Sequence, residues 1–255
     1  MSDTVLAAQL YTLREFCKTP ADIAATFKKV RALGYEAVQC SGLGPIAPRD
    51  LRRIADGEGL AIIATHVAFE PLLNETPRLI EEHQILGCPN VAIGGMPRDN
   101  QASAEGVRAF ARNADIVGAR LREAGLTFSY HNHSWEFEKL DGRLVMDMIY
   151  QDTKPENVMA ELDTYWVQHG GGDPAAWIEK LGRRSVLLHL KDMAVVKRTP
   201  TYAEIGEGNI NWSRVLKAAA SVGVRWYIVE QDVCQRDPFE SLGISLRNLK
   251  AMGLK

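Results

Sequence analysis

The sequence predicts a (β/α)8 TIM barrel in a single domain over residues 1–255, and three observations lead there. Eight short apolar runs recur along the chain, nearly continuous in hydrophobicity, as strands of a parallel sheet covered on both faces are. Amphipathic helical runs that close at Gly or a Gly/Pro pair separate them. No glycine fingerprint follows the first strand, where "TLREFCKTP" stands instead, so an open dinucleotide-binding sheet is disfavoured against a closed barrel.

Taken in order, "VLAAQLYTL" supplies the first strand without a preceding helix. The first helix opens at "TPAD", with Thr19 as N-cap and Pro20 at N1, and turns Ile23, Phe27, Val30 and Leu33 onto the strands. Strands two to eight lie in "ALGYEAVQC", "GEGLAIIATH", "LGCPNVAIGG", "EAGLTFSYHN", "PENVMAELD", "GRRSVLLHLKD" and "VGVRWYIVEQD". Two connections break the rhythm: "NHSWEFEKLDGRLVMDMIYQD", read as a longer loop and a short helix, and "MAVVKRTPTYAEIGEGNINW". Within the second, Gly206 and Gly208 precede a helix. They suit either an anion at its N-terminus or a tight turn with Asn209 or Asn211 as cap. "GGGDP" marks a helix start, Asp173 as N-cap and Pro174 at N1.

Composition excludes several classes of function. With 46% hydrophobic and 24% charged residues the chain is an ordinary globular protein, and 30 basic against 32 acidic side chains leave no electrostatic footprint for nucleic acid or an anionic membrane. No window approaches about 18 uninterrupted apolar residues, and "MSDTVLAAQL" has no basic region ahead of its apolar ones, so a cytoplasmic location is expected. Cys17, Cys40, Cys88 and Cys234 show no CxxC spacing and are read as core packing.

Reacting groups in such barrels sit at the C-terminal strand ends. Here five strands end in ionisable residues: His66 on the third, His131 and His133 on the fifth, Glu161 and Asp163 on the sixth, His189 and Lys191 on the seventh, and Glu230 on the eighth. Side chains alternate along a strand, so the members of each pair share a face. His131, Asp163, His189 and Glu230 would then converge as two nitrogens and two carboxylates, a set suited to a divalent ion (Mn, Zn, Co, Mg or Fe). Any one strand-end histidine alone reads as a hydrogen-bonded structural residue. Four unpaired ionisable groups buried together would be costly without an ion. Lys191 is either part of this site or a solvated lysine pairing with Asp192. Gln9, Tyr11 and Trp166 suit a polyol pocket or barrel filling, and with His66, Glu161 and Glu204 they make up the candidate substrate contacts.

Six stretches, "QLYTLR", "YHNHSWEF", "LDTYWVQHGGGDP", "LLHLKDM", "IGEGNINW" and "YIVEQD", together resemble the sugar phosphate isomerase/epimerase group of xylose isomerase-like TIM barrels, which also contains inosose dehydratase and abasic-site endonucleases. The resemblance spans essentially the whole chain. It implies a divalent metal at the barrel mouth on His131, Asp163, His189 and Glu230. Many isomerases and epimerases of the group carry Glu where His131 stands, so the proton-shuttling glutamate pair is incomplete here, leaving room for dehydratase or lyase chemistry. Glu136 would replace His131 as ligand if its loop folds back. The expected reaction is α-proton abstraction from a keto-sugar or keto-polyol through a metal-stabilised enolate, with His133 as first proton-transfer group and Glu230 or Lys191 as second. The alternatives are a sugar-binding barrel without chemistry and an abasic-site endonuclease, the latter lacking both the basic charge and the ligand number. The partner expected is a small carbohydrate, with homo-oligomerisation left open. For a phosphate, Arg14, Lys197 and Arg198 are the loop candidates, and an unphosphorylated substrate is favoured.

Overall fold

The computed structural model describes residues 4–254, so Met1 to Asp3 and Lys255, the outermost residues of the expected domain, lie outside the described residues. Eight parallel strands close into a barrel: β1 Val5–Gln9, β2 Ala37–Cys40, β3 Ala61–His66, β4 Asn90–Ile93, β5 Thr127–His131, β6 Met159–Asp163, β7 Ser185–Leu190 and β8 Trp226–Val229. Each pairs with its sequence neighbours, and β1 closes the circle on β8 with Val5 opposite Trp226. All eight expected strands are present.

Around them run α1 Pro20–Leu33, α2 Pro48–Glu58, α3 Thr76–Leu86, α4 Ala104–Glu123, α5 Val145–Gln151, α6 Pro174–Leu181, α7 Trp212–Val222 and α8 Pro238–Ala251. The start of α1 follows its sequence: Thr19 Oγ1 accepts from the Asp22 N–H while the Asp22 carboxylate accepts from the Thr19 N–H, a reciprocal capping box, with Pro20 at N1. Its Ile23, Phe27 and Val30 are fully buried, each worth about 1.5–3 kcal/mol, and Leu33 is half-buried. Asp173 caps α6 as expected. Helix α4 passes so close to the chain ahead of β6 that a Cβ on Gly118 would sit 1.9 Å from the Asn157 carbonyl oxygen.

The two long connections hold more structure than expected. After β5, a turn at Trp135–Phe137 leads into a small ribbon, Lys139–Leu140 with Arg143–Leu144, joined by Asp141 and Gly142 at positive φ. After β7, Asp192–Val196 pairs with Thr199–Ala203, and Lys197 and Arg198 make the turn at φ of 48° and 69°. Cys17, Cys40 and Cys88 are buried free thiols and Cys234 is half-buried. Among the described residues no helix is long and apolar enough to cross a membrane.

Inside the barrel, Ala7, Ala37, Ile63, Ala64, Leu187 and Ile228 form a separate apolar cluster. Two residues further along the strands, the same alternation delivers Gln9, Gln39, His66, His189 and Glu230. A plug of apolar side chains thus carries a polar layer on the C-terminal side.

Candidate metal centre and active site

His131 ends β5, Asp163 ends β6, His189 lies on β7 and Glu230 follows β8. One ligand atom from each falls within 4.8 Å of all the others, and all four side chains are buried. Such separations surround an ion bound at about 2.0–2.2 Å after slight contraction. Two further features fit a cation. His131 Nδ1 is buried without a hydrogen-bond partner. Lys191, fully buried, places Nζ 3.0 Å from Asp163, 3.0 Å from Glu230 and 2.7 Å from Asp232, so three carboxylates surround one ammonium and the two negative charges left over match a divalent ion.

The electrostatics follow from this crowding. Burial alone would raise the Asp163 and Glu230 carboxyls, but Lys191 and the neighbouring histidines hold both below the usual carboxylate range. Burial disfavours the Lys191 ammonium, yet Asp163, Glu230 and Asp232 raise it well above an ordinary lysine. His189 is likewise raised to about 10, its burial overcome by Glu161 and Glu230.

Beneath the four candidate ligands lies a support layer. Gln39 Nε2 donates to Glu161 Oε1 at 2.7 Å, which leaves Gln39 Oε1 to accept from His189 Nε2 at 2.7 Å. That fixes the proton on Nε2 and turns Nδ1 toward Glu230, 2.8 Å away. Glu161 also pairs with His66 Nε2. His66, Glu161 and His189 form a second group of clustered donor atoms sharing His189 with the first.

A cavity of about 250 Å³ opens above, lined by Tyr11, Ser41, His66, His131, His133, Glu230 and Asp232. The His133 ring stands edge-on to His131 with centroids 5.0 Å apart, and 5.3 Å from Trp166. Burial and the neighbouring His131 push its pKa down to about 3, so at neutral pH it is an uncharged imidazole. Its backbone N–H donates to Glu136 Oε2 at 2.8 Å, and Glu136 Oε1 accepts from Tyr130 Oη at 2.7 Å.

Most of the sequence candidates meet here. Tyr11 and His66 line the cavity, whereas Glu161 sits below it, locked by Gln39, His66 and His189. Gln9 is buried, its Oε1 accepting from the Tyr11 N–H and its Nε2 unpartnered, and the buried Trp166 Nε1 is likewise unpartnered. Glu204 requires correction: it accepts from Ser241 Oγ at 2.8 Å and pairs with Arg236 at 3.1 Å, held by the α8 side of the barrel and not among the cavity walls. The reading of Lys191 as a solvated lysine paired with Asp192 also fails, because alternation sends the two side chains opposite ways. Glu136, engaged by Tyr130 and His133, does not take the place of His131. Of the phosphate candidates, Arg14 donates to the Tyr11 and Asp232 carbonyls and Lys197 and Arg198 lie exposed at the hairpin turn; none lines the cavity.

Sequence reasoning missed Gln39, Ser41 and Asp232. Asp232 was within reach, since it follows Glu230 at the two-residue spacing already used for the other pairs.

The profile of the xylose isomerase-like TIM barrel family matches residues 27–252. No curated protein matches the chain. Among solved structures, it is similar to a sugar phosphate isomerase/epimerase from Parabacteroides distasonis ATCC 8503, with 23% identity, a TM-score of 0.84 and coverage of 100% of this chain and 96% of that one. It is also similar to an L-ribulose 3-epimerase, with 16% identity, a TM-score of 0.72 and coverage of 98% and 94%. A third likeness is to the probable 3-DHS dehydratase involved in petrobactin synthesis from Bacillus anthracis, with 11% identity, a TM-score of 0.72 and coverage of 97% and 99%. At these identities the structural likeness is one of fold. With the family profile spanning nearly the whole barrel, the chain belongs to the xylose isomerase-like TIM barrel family.

Proposed function

We propose that the protein is a divalent-metal-dependent enzyme that abstracts an α-proton from a keto-sugar or keto-polyol, as an isomerase, epimerase, dehydratase or lyase. The observation that carries this reading is the meeting of His131, Asp163, His189 and Glu230 beside a cavity walled by His133. When bound, the ion supplies a Lewis acid that polarises the substrate carbonyl. The side chains do the rest. His133, uncharged and at the cavity wall, accepts the α-proton, and Glu136 fixes its backbone. Lys191 keeps Asp163, Glu230 and Asp232 charged and in place, and His133, having taken the α-proton, gives it back to the neighbouring carbon in an isomerisation or to the departing β-oxygen in a dehydration. Tyr11 and Gln9 hold substrate hydroxyls, and Trp166, packed against His133, excludes water.

Elemental analysis of the purified protein should give close to one equivalent of metal, lost in His131→Ala and Glu230→Ala. With metal restored, the wild type should exchange solvent deuterium into one member of a panel of ketoses and inososes. A wild type that neither holds nor takes up metal would sink this reading and leave a sugar-binding barrel in its place.

A further inference from the structure

A second groove, of about 580 Å³, adjoins the reaction cavity and shares Gly94 and His133 with it. The two differ in chemistry. The cavity is walled by histidines and carboxylates, whereas the groove mixes the apolar Val67, Pro97 and Trp135 with the polar Glu70, Arg98 and Gln101, its Phe69 and Met96 being largely buried. The junction is bare backbone. Gly95 has φ of +148°, a conformation side chains avoid, and a Cβ on Gly94 would already touch His66 Nδ1 at 3.4 Å, so a larger side chain there would enter the passage. The groove wall is tied to the proton-transfer residue. The Met96 N–H donates to Tyr130 Oη, Tyr130 Oη donates to Glu136, and Glu136 accepts from the His133 N–H.

A free monosaccharide, hydroxylated on every side, matches the cavity and leaves the apolar part of the groove, Trp135 above all, unused. A sugar ring carrying an apolar planar substituent fills both. We propose that this groove is a substrate subsite for an aryl aglycone, which makes the substrate class an aryl-substituted keto-glycoside, not a free ketose. The inference rests on the function proposed above for where the sugar ring sits, and on the shared Gly94 and His133 for where its substituent goes.

The test is a binding titration of the full-length, metal-loaded protein with p-nitrophenyl glycosides of glucose, galactose, mannose and xylose, each against its methyl glycoside. One aryl glycoside should bind about tenfold tighter than its methyl counterpart, the increment expected of a stacked ring. Trp135→Ala and Ala68→Trp, the second at an exposed position beside the groove, should each bring that ratio toward one. Equal affinity across the panel, no binding of either series, or a ratio that survives both substitutions overturns the subsite. The wild type separates the two readings: an aryl preference in a wild-type protein that takes up no metal keeps the subsite while the metal enzyme fails. Metal uptake with deuterium exchange but no aryl preference removes the subsite alone.

Discussion

Lys191 Nζ stands 3.0 Å from Glu230 Oε2, deep in the barrel mouth, with no solvent access to the ammonium. Asp163 and Asp232 complete its surroundings, so removing the lysine leaves two buried carboxylates and the half-buried Asp232 facing one another. Lys191→Met should lower the stability of the metal-free protein by about 3–5 kcal/mol. A bound divalent ion would restore part of the lost charge balance, so saturating Mn2+ should stabilise the variant more than the wild type. Denaturant unfolding with and without the ion checks this. An identical ion effect on both proteins would separate Lys191 from the electrostatics of the ligand cluster.

Glu136 gives a pH dependence whose sign can be worked out. Burial raises its pKa from 4.5 to about 7, against the hydrogen bonds from Tyr130 and His133 that favour the anion. Between those values the folded protein holds a proton that the unfolded chain has released. The stabilising contribution is complete below pH 4.5 and is lost as pH rises through 7, leaving a cost of about 3 kcal/mol in alkaline solution. Glu136→Gln cannot titrate, so the stability of the wild type relative to the variant should fall by about that amount between pH 4 and pH 9. Unfolding free energies at the two ends measure it, and a constant difference would contradict the raised pKa.

Gln39 joins Glu161 to His189 through two bonds of 2.7 Å and so holds the imidazole with Nδ1 toward Glu230 and the other candidate ligands. Its replacement by Leu keeps the bulk and removes both bonds. The ring then keeps only the 3.2 Å pairing of Nε2 with Glu161 and the Nδ1 contact with Glu230. Gln39→Leu should weaken metal affinity by about 10–100-fold, as loss of a partner behind a ligating histidine does. Competition with a chromogenic chelator reads the change, and an unaltered affinity would show that packing alone orients His189.

The strands were legible because burial on both faces leaves the period-two pattern no polar half to show, and runs such as "SVLLHL" stand out. Alternation then sufficed to bring His131, Asp163, His189 and Glu230 together, since it requires only that each strand end in the same layer. Gln39 escaped because a lone amide in "AVQC" carries no ionisable signature and its partners lie 122 and 150 residues away. Asp141 and Gly142 did announce their hairpin, being a favoured pair for a two-residue turn, but the reading passed over it. Lys197 and Arg198 gave no such signal, because neither is a residue that favours positive φ. Glu204 misled for a different reason: the glycines beside it suggested a ligand, and the anion they serve belongs to the protein.

That anion is the carboxylate of Asp192. It accepts from the N–H groups of Met193 at 2.8 Å, Gly206 at 2.8 Å, Gly208 at 3.1 Å and Ile210 at 3.2 Å, and from Trp212 Nε1 at 2.6 Å. The Gly206 to Trp212 loop is thereby wrapped around one buried charge ahead of α7, with Asn211 as the cap of that helix. Approach is so close at Gly208 that a Cβ would lie 2.3 Å from Asp192 Oδ1. Asp192→Asn turns an amide nitrogen toward groups that only donate, leaving buried N–H groups unpaired at about 1–3 kcal/mol each. A total loss of about 3 kcal/mol should lower the melting temperature by about 6–12 °C. Gly208→Ala should act in the same direction by pushing the carboxylate out of its cradle. Because none of these donors belongs to the ligand cluster, folded Asp192→Asn should keep the metal stoichiometry of the wild type. Thermal unfolding with elemental analysis decides it: an unshifted melting temperature would mean that water satisfies the loop, and lost metal at an unchanged melting temperature would place Asp192 within the site.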